Sequence, residues 1–231
     1  MDLDPQAAVV LFSGGQDSTT CLAWALARFR RVECVTIDYG QRHRVELEAA
    51  AAIAKAAGVP QRVVPCDSFR AIGGNALTGD EAVAGGVRAS NHLPNTFVPG
   101  RNLIFLTLAA AVAYTRGCAA LVTGVCETDS SGYPDCRAGT MAALQEALRL
   151  GLEAPFAIHT PLMHLTKAAT VVMARDLGAL PLLALSHTCY NGQVPPCGTC
   201  PACVLRAKGF AEAGVPDPLL VRLGVAGRAP A

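Results

Sequence analysis

The chain has 231 residues, about half of them apolar, enough to bury one full hydrophobic core and too apolar for a disordered or fibrous protein. Nineteen Lys and Arg balance eighteen Asp and Glu, so no long-range field draws in a polyanion such as tRNA or DNA, and a small-molecule substrate is the default expectation. Met1-Asp2-Leu3-Asp4-Pro5 lacks the basic start and apolar stretch of a signal peptide, and no apolar run reaches bilayer length, so a cytoplasmic protein is expected.

A continuous apolar run over 7–12 predicts a buried strand, and apolar residues at helical spacing over 19–29 predict the helix that follows it. A second strand is expected over 32–37, then the polar turn Asp38-Tyr39-Gly40-Gln41, an Ala-rich helix over 45–57 closed by Gly58 and Pro60, and a third strand over 62–66. From 67 to 100 the pattern dissolves into Gly, Asn and Pro, which reads as a mobile insertion or lid. Periodicity returns with a helix over 102–116, a strand over 119–125, a polar loop over 126–139, a helix over 140–150, a strand over 155–158 and a helix over 167–177. Short buried strands alternating with helices predict an α/β fold: a parallel sheet with helices on both faces and a site at the carboxyl ends of the strands. The expected organisation is a catalytic domain over 1–185, a cysteine-rich segment over 186–214 and a loosely held tail over 215–231.

Ser13-Gly14-Gly15-Gln16-Asp17-Ser18 falls between the first strand and the first helix. Successive backbone N–H groups there point outward at the positive end of a helix, an arrangement that binds phosphate. The glycines let the backbone approach a ligand, Ser13 and Ser18 can donate hydroxyl hydrogen bonds, and Asp17, too negative to meet phosphate itself, suits a Mg²⁺ that bridges phosphates. No Lys-Ser/Thr ending and no Gly-x-Gly-x-x-Gly is present, which argues against Walker-type and dinucleotide-binding loops. A basic patch could be assembled only from Arg28, Arg30, Arg31, Arg42 and Arg44, and exposed helix ends are the plainer account of these.

Ten cysteines in such a chain read as thiols or metal ligands. Cys189, Cys197, Cys200 and Cys203 have the spacing C-x7-C-x2-C-x2-C on a Pro- and Gly-rich knuckle, which matches one tetrahedral, structural Zn²⁺, with an Fe–S cluster as the other four-cysteine solution. Cys21, Cys34, Cys66 and Cys118 lie in or beside apolar elements and are expected in the core. Cys126 and Cys136 sit in the loop after a strand, without a His or Lys activator beside them.

The Ser-Gly-Gly-x-Asp-Ser run resembles the PP-loop of the adenylating ATP-pyrophosphatases, which implies their α-hydrolase-like fold and cleavage of ATP between its α and β phosphates. Further segments are similar to one family within that group, the 7-cyano-7-deazaguanine (preQ0) synthases. These are Leu11-Phe12-Ser13-Gly14-Gly15-Gln16-Asp17-Ser18-Thr19-Thr20-Cys21, Asp38-Tyr39-Gly40-Gln41-Arg42-His43, Phe97-Val98-Pro99-Gly100-Arg101-Asn102, Asp129-Ser130-Ser131-Gly132-Tyr133-Pro134-Asp135-Cys136 and Thr160-Pro161-Leu162, with the cysteine knuckle. The resemblance implies a carbon–nitrogen ligase that converts 7-carboxy-7-deazaguanine and ammonia to preQ0 with ATP and Mg²⁺, in queuosine precursor synthesis, and it implies a homodimer.

Under that resemblance the stretch from Leu11 to Cys21 meets the nucleotide, with Asp38, Tyr39 and Gln41 near it. Arg101 and Lys167 are the cationic groups for transferred phosphoryl groups. Arg101 and Asn102, with Glu127, Asp129, Tyr133 and Asp135 of the polar loop, are candidates for the purine-like base, which wants stacking and acceptors for its N–H edge. Which carboxylate pairs with the base and which binds metal stays open at this point. Two other readings compete: a PP-loop tRNA sulfurtransferase, which the neutral charge and the lack of basic–aromatic interleaving disfavour, and a nucleotide-binding protein without catalysis.

Overall fold

The computed structural model describes residues 3–41, 44–79, 81–84, 86–90, 92–128 and 132–225. Five strands form one parallel sheet: β1 (Asp4–Leu11), β2 (Arg31–Asp38), β3 (Gln61–Pro65), β4 (Cys118–Val122) and β5 (Ala157–His159). Their order is β3-β2-β1-β4-β5, so the chain first builds to one side of β1 and then returns to the other. The reversal opens a crevice beyond the carboxyl ends of β1 and β4, where a doubly wound sheet binds its ligand.

Pleating sorts the apolar residues of β1 to two faces. Ala7 and Val9 pack with Val35, Ile37 and Leu121 against Phe105, Ala109 and Ala113 of α4 (Arg101–Thr115). Ala8 and Val10 face Cys21, Leu22 and Ala25 of α1 (Gln16–Leu26) and Ala50 and Ile53 of α2 (Val45–Ala56). Parallel pairing buries both faces, which is why β1, β2 and β4 read as near-continuous apolar runs. The predicted α/β architecture with helices on both faces is the observed one.

Several boundaries differ for physical reasons. α1 begins at Gln16, three residues earlier than its apolar period, because Gln16, Asp17 and Ser18 form its polar first turn. β4 ends at Val122, and Thr123–Val125 leave the sheet to line the crevice. The 67–100 region holds a short helix, α3 (Ser68–Ile72), and built turns. Asn75 Oδ1 accepts from the backbone of Leu77 and Thr78 at 3.0 Å each, and Phe69, Ala76, Leu77 and Val98 are buried.

After α5 (Ala138–Leu152) and α6 (Lys167–Asp176), the chain adds α7 (Leu180–Leu183), α8 (Pro201–Glu212) and α9 (Pro218–Arg222). The expectation of a loose tail from 215 fails for its described part. Asp217 caps α9 through Leu219 N at 2.9 Å and grips the Arg206 guanidinium at 2.7 and 2.8 Å, both side chains being under a tenth exposed. Residues 226–231 lie outside the described residues. Among the described residues no helix is long and apolar enough to cross a membrane.

Candidate active site

The turn after β1 is locked from within. Ser13 Oγ and Ser18 Oγ are 3.1 Å apart, Ser18 Oγ donates to Gly15 O at 3.2 Å, and Gly15 N donates to Ser13 Oγ at 3.4 Å. Gly14 has φ +80°, and a Cβ there would lie 2.6 Å from Ala50 N, so the turn can nest on α2 only with glycine. Gly15 is the N-cap of α1 and, among the described residues, has no side-chain cap; Gly15 to Ser18 line the crevice, so uncapped first-turn N–H groups at this helix start are the arrangement that receives an anion.

Asp17 enters the same space from the first turn of α1. Its Oδ2 meets Lys167 Nζ at 2.8 Å, while its Oδ1 is buried and accepts no hydrogen bond among the described residues. A hard carboxylate oxygen left in that state beside a phosphate-binding turn fits a Mg²⁺ ligand. Lys167, only 10% exposed, reaches Asp17 from the start of α6. α8 lies close against it: a Cβ on Gly209 would fall 2.6 Å from Lys167 Cγ.

The crevice encloses about 280 Å³. Leu11, Phe12, Ser13, Gly15, Gln16, Asp17 and Ser18 line it, together with Tyr39, Gln41, Arg101, Asn102 and Tyr133. Phe105 and Tyr39 pack with ring centroids 5.1 Å apart, and Arg101 stands 6.0 Å from the Tyr39 ring. Burial works to lower the pKa of the Arg101 guanidinium, but Tyr39, Tyr190, Tyr133 and Asp135 around it override that and raise it, so it remains a cation. Tyr39 is pushed up to about 12, chiefly by burial, and stays a neutral phenol. Tyr133 is held by a 2.6 Å hydrogen bond between its hydroxyl and Thr96 Oγ1.

Other predicted residues are placed elsewhere. Thr19, Thr20 and Cys21 are fully buried below the turn; Thr19 Oγ1 donates to Gly15 O at 2.8 Å and Thr20 Oγ1 to Gln16 O at 3.0 Å, so they brace the turn from behind. Gly14 likewise faces α2 rather than the crevice. Asp38 is engaged by Arg44 at 3.0 Å and by Gly40 N at 3.4 Å in its own turn. The two described loop carboxylates serve helix ends: Asp135 Oδ2 accepts from Asn102 N at 2.9 Å, and Glu127 Oε1 from Ala138 N at 2.7 Å. Neither lines the crevice. Asp129, Ser130, Ser131, Arg42 and His43 lie outside the described residues. The basic-patch candidates Arg28, Arg30, Arg31 and Arg44 are each occupied locally, by Trp24, Asp4, Glu33 and Asp38 respectively.

Sequence reasoning passed over part of the wall. Glu46 lines the crevice from the first turn of α2, where an acid looks like an ordinary complement to the helix dipole. Ala76 and Leu77 arrive from the 67–100 region, and His187 and Tyr190 from the cysteine-rich segment. His187 N donates to Gly14 O at 3.0 Å, a link that no local pattern announces.

The sulfur atoms of Cys189, Cys197, Cys200 and Cys203 lie within 4.8 Å of one another, the set among the described residues able to hold a metal ion. Cys197 and Cys203 sulfurs are 3.9 Å apart, against about 3.8 Å for two thiolates on a tetrahedral ion with 2.3 Å bonds. Backbone N–H groups of Cys197 and Cys200 donate to Cys189 and Cys197 sulfurs at 3.5 and 3.3 Å, which favours the thiolate forms a metal needs. The Cys203 side chain is the largest cause drawing Cys200 down to about 4.

A glycine-built turn at the switch point of a parallel sheet, with an acid of the following helix turn paired to a lysine, defines a PP-loop nucleotide-binding α/β protein. The family model described as queuosine biosynthesis protein QueC matches residues 7–214, and the chain belongs to that family. Similar curated proteins include the 7-cyano-7-deazaguanine synthase of Chromobacterium violaceum, 66% identical over 94% of this chain and 94% of its own. That of Laribacter hongkongensis is 62% identical over 95% and 96%, and that of Caulobacter vibrioides 53% over 90% and 93%.

Proposed function

We propose that this chain is an ATP-dependent 7-cyano-7-deazaguanine synthase, a carbon–nitrogen ligase of queuosine precursor biosynthesis. The observation that carries the reading is the crevice itself: a phosphate-binding turn and a set of aromatic and cationic side chains share one enclosure within a chain 66% identical to a protein of that name. The substrate is 7-carboxy-7-deazaguanine, and the nitrogen comes from ammonia.

A carboxylate is a poor electrophile until one of its oxygens becomes a leaving group. Its oxygen attacks the α-phosphorus of ATP and pyrophosphate departs; ammonia then adds at the acyl carbon, the nitrogen sheds one proton and AMP leaves, giving the primary amide. The amide oxygen attacks the α-phosphorus of a second ATP, again expelling pyrophosphate, and the nitrogen gives up one proton; loss of AMP and of the remaining N–H proton then leaves the nitrile. Ser13, Ser18 and the N–H groups at the start of α1 hold the phosphoryl oxygens. Lys167, resting on Asp17, offers positive charge to the developing phosphoryl transfer. Asp17 would hold Mg²⁺, which neutralises phosphate charge when bound. Arg101 and Asn102 orient the substrate carboxylate, Tyr39 and Gln41 flank the bound molecules, and Tyr133 supplies an aromatic wall.

In this reading residues 67–100 form the lid over a catalytic domain of residues 1–185. The four cysteines hold one structural Zn²⁺, and the enzyme works as a cytoplasmic homodimer. Incubating the protein with ATP, Mg²⁺, ammonium and 7-carboxy-7-deazaguanine should yield the nitrile by mass spectrometry, with AMP and pyrophosphate as nucleotide products. ATP turnover indifferent to the deazapurine would sink the assignment, and ADP with phosphate would sink the adenylate route.

A further inference from the structure

Glu46 has no part in the mechanism above, yet it is the acid that lines the crevice beside Arg101. Its backbone carbonyl lies against the phosphate turn, 2.9 Å from where a Gly14 Cβ would sit, and its carboxylate lies in the electrostatic reach of Arg101, Tyr39 and Tyr190. Among the described residues it forms neither a hydrogen bond nor an ion pair, Arg101 included. A half-buried carboxylate without a partner is costly and calls for a ligand with N–H donors.

The neighbourhood narrows the kind of ligand. Arg101 beside it repels a metal ion or an ammonium, and the carboxylate itself repels phosphate. The substrate of the proposed reaction supplies the complement. Along one side a 7-carboxylated deazaguanine presents two donors, the 2-amino group and N1–H, followed by two acceptors, O6 and the 7-carboxylate. A carboxylate takes the first pair with its two oxygens, and an adjacent guanidinium takes the second with its parallel N–H groups. Glu46 and Arg101, which line the same crevice and feel each other's charge without an ion pair among the described residues, offer that sequence in protein form. The adenine of ATP presents an acceptor, N1, next to its one amino group and cannot satisfy both oxygens.

We infer that Glu46 is the specificity-determining residue of the site, reading the N1–H and 2-amino edge of the deazaguanine while Arg101 takes its acceptor side. The inference rests on the proposed reaction for the identity of the base, but it can be tested apart from turnover.

The test compares 7-carboxy-7-deazaguanine with its analogue lacking the 2-amino group, by calorimetric binding and by kcat/KM, in the wild type, Glu46→Gln and Glu46→Asp. Losing a charge-assisted hydrogen bond should weaken the analogue about 10- to 100-fold in the wild type. Glu46→Gln, whose amide turns a donor toward a donor, should raise KM for the true substrate by a similar factor and erase most of the preference, leaving KM for ATP unchanged. Glu46→Asp should keep part of it. Equal binding of the two bases by the wild type, or an undiminished preference in Glu46→Gln, overturns the inference, as does a change confined to KM for ATP. If Glu46→Gln does not fold, the wild-type comparison and Glu46→Asp decide the matter. Base binding with discrimination but no nitrile would leave Glu46 in its role and overturn the reaction instead.

Discussion

At the scale of single residues, Glu46 also sets a pH dependence. Burial pushes its carboxyl up to about 7, with the positive charge of Arg101 pulling the other way. The folded protein therefore holds a proton there that an unfolded chain releases near 4.5. Its contribution to stability is complete below that ordinary value and is lost as pH rises through about 7. For binding the sign reverses, because only the ionised form accepts two donors. KM for the base should rise as pH falls below about 7, by up to about tenfold per unit, while KM for ATP stays level. Of the described groups electrostatically linked to Glu46, Tyr39 is pushed by burial to about 12, Tyr190 is raised by burial, and Arg101 keeps its charge. A pH profile of KM in the wild type and in Glu46→Gln checks this, and the slope should vanish in the variant.

At the scale of elements, the site depends on helix ends held from outside their own sequence. α4 begins at Arg101 after Gly100, which has φ +70° and no capping side chain, and the missing acceptor comes from Asp135 across the crevice wall. Asp135→Ala should cost about 0.5–2 kcal/mol by chemical denaturation, and should raise KM for the base more than KM for ATP because Arg101 rides on that first turn. Asp135→Asn, which still presents an oxygen, should recover most of both. The same feature explains what could be read from the sequence. The phosphate turn, the alternation of strands and helices and the cysteine spacing are local patterns, and each is found where it is expected. Glu127 and Asp135 looked like base-binding carboxylates because nothing local tells an acid facing a ligand from an acid capping a distant helix. Glu46 was hidden for the converse reason, since a first-turn acid needs no further account. α8 and α9 were legible in principle: Pro201 and Pro218 occupy the first helical positions, where proline starts helices, but their Gly- and Pro-rich surroundings read as loop.

At the scale of the whole molecule, the cysteine segment and the phosphate turn form one mechanical unit. Between α7 and the first cysteine the chain passes the turn, and His187 N donates to Gly14 O at 3.0 Å. Two residues on, Cys189 enters the four-cysteine cluster, with His187 Nε2 3.2 Å from its carbonyl oxygen. Arg206 of α8, only 4% exposed, ties the rest together through Ser186 Oγ at 2.8 Å, Thr188 Oγ1 at 3.0 Å and the two oxygens of Asp217. No strand of the sheet comes from this unit, because all five lie before the segment begins. Removing the metal should therefore release residues 186–214 while leaving the sheet folded, and the loss should be felt at Gly14. ATP should bind roughly tenfold more weakly after chelation, with faster amide exchange over 186–214 and 13–18 but not in β1 or β4, and Zn²⁺ should restore both. If chelation accelerates exchange in the cysteine segment and leaves ATP affinity unchanged, the His187–Gly14 link is a packing contact and the two sites are energetically separate.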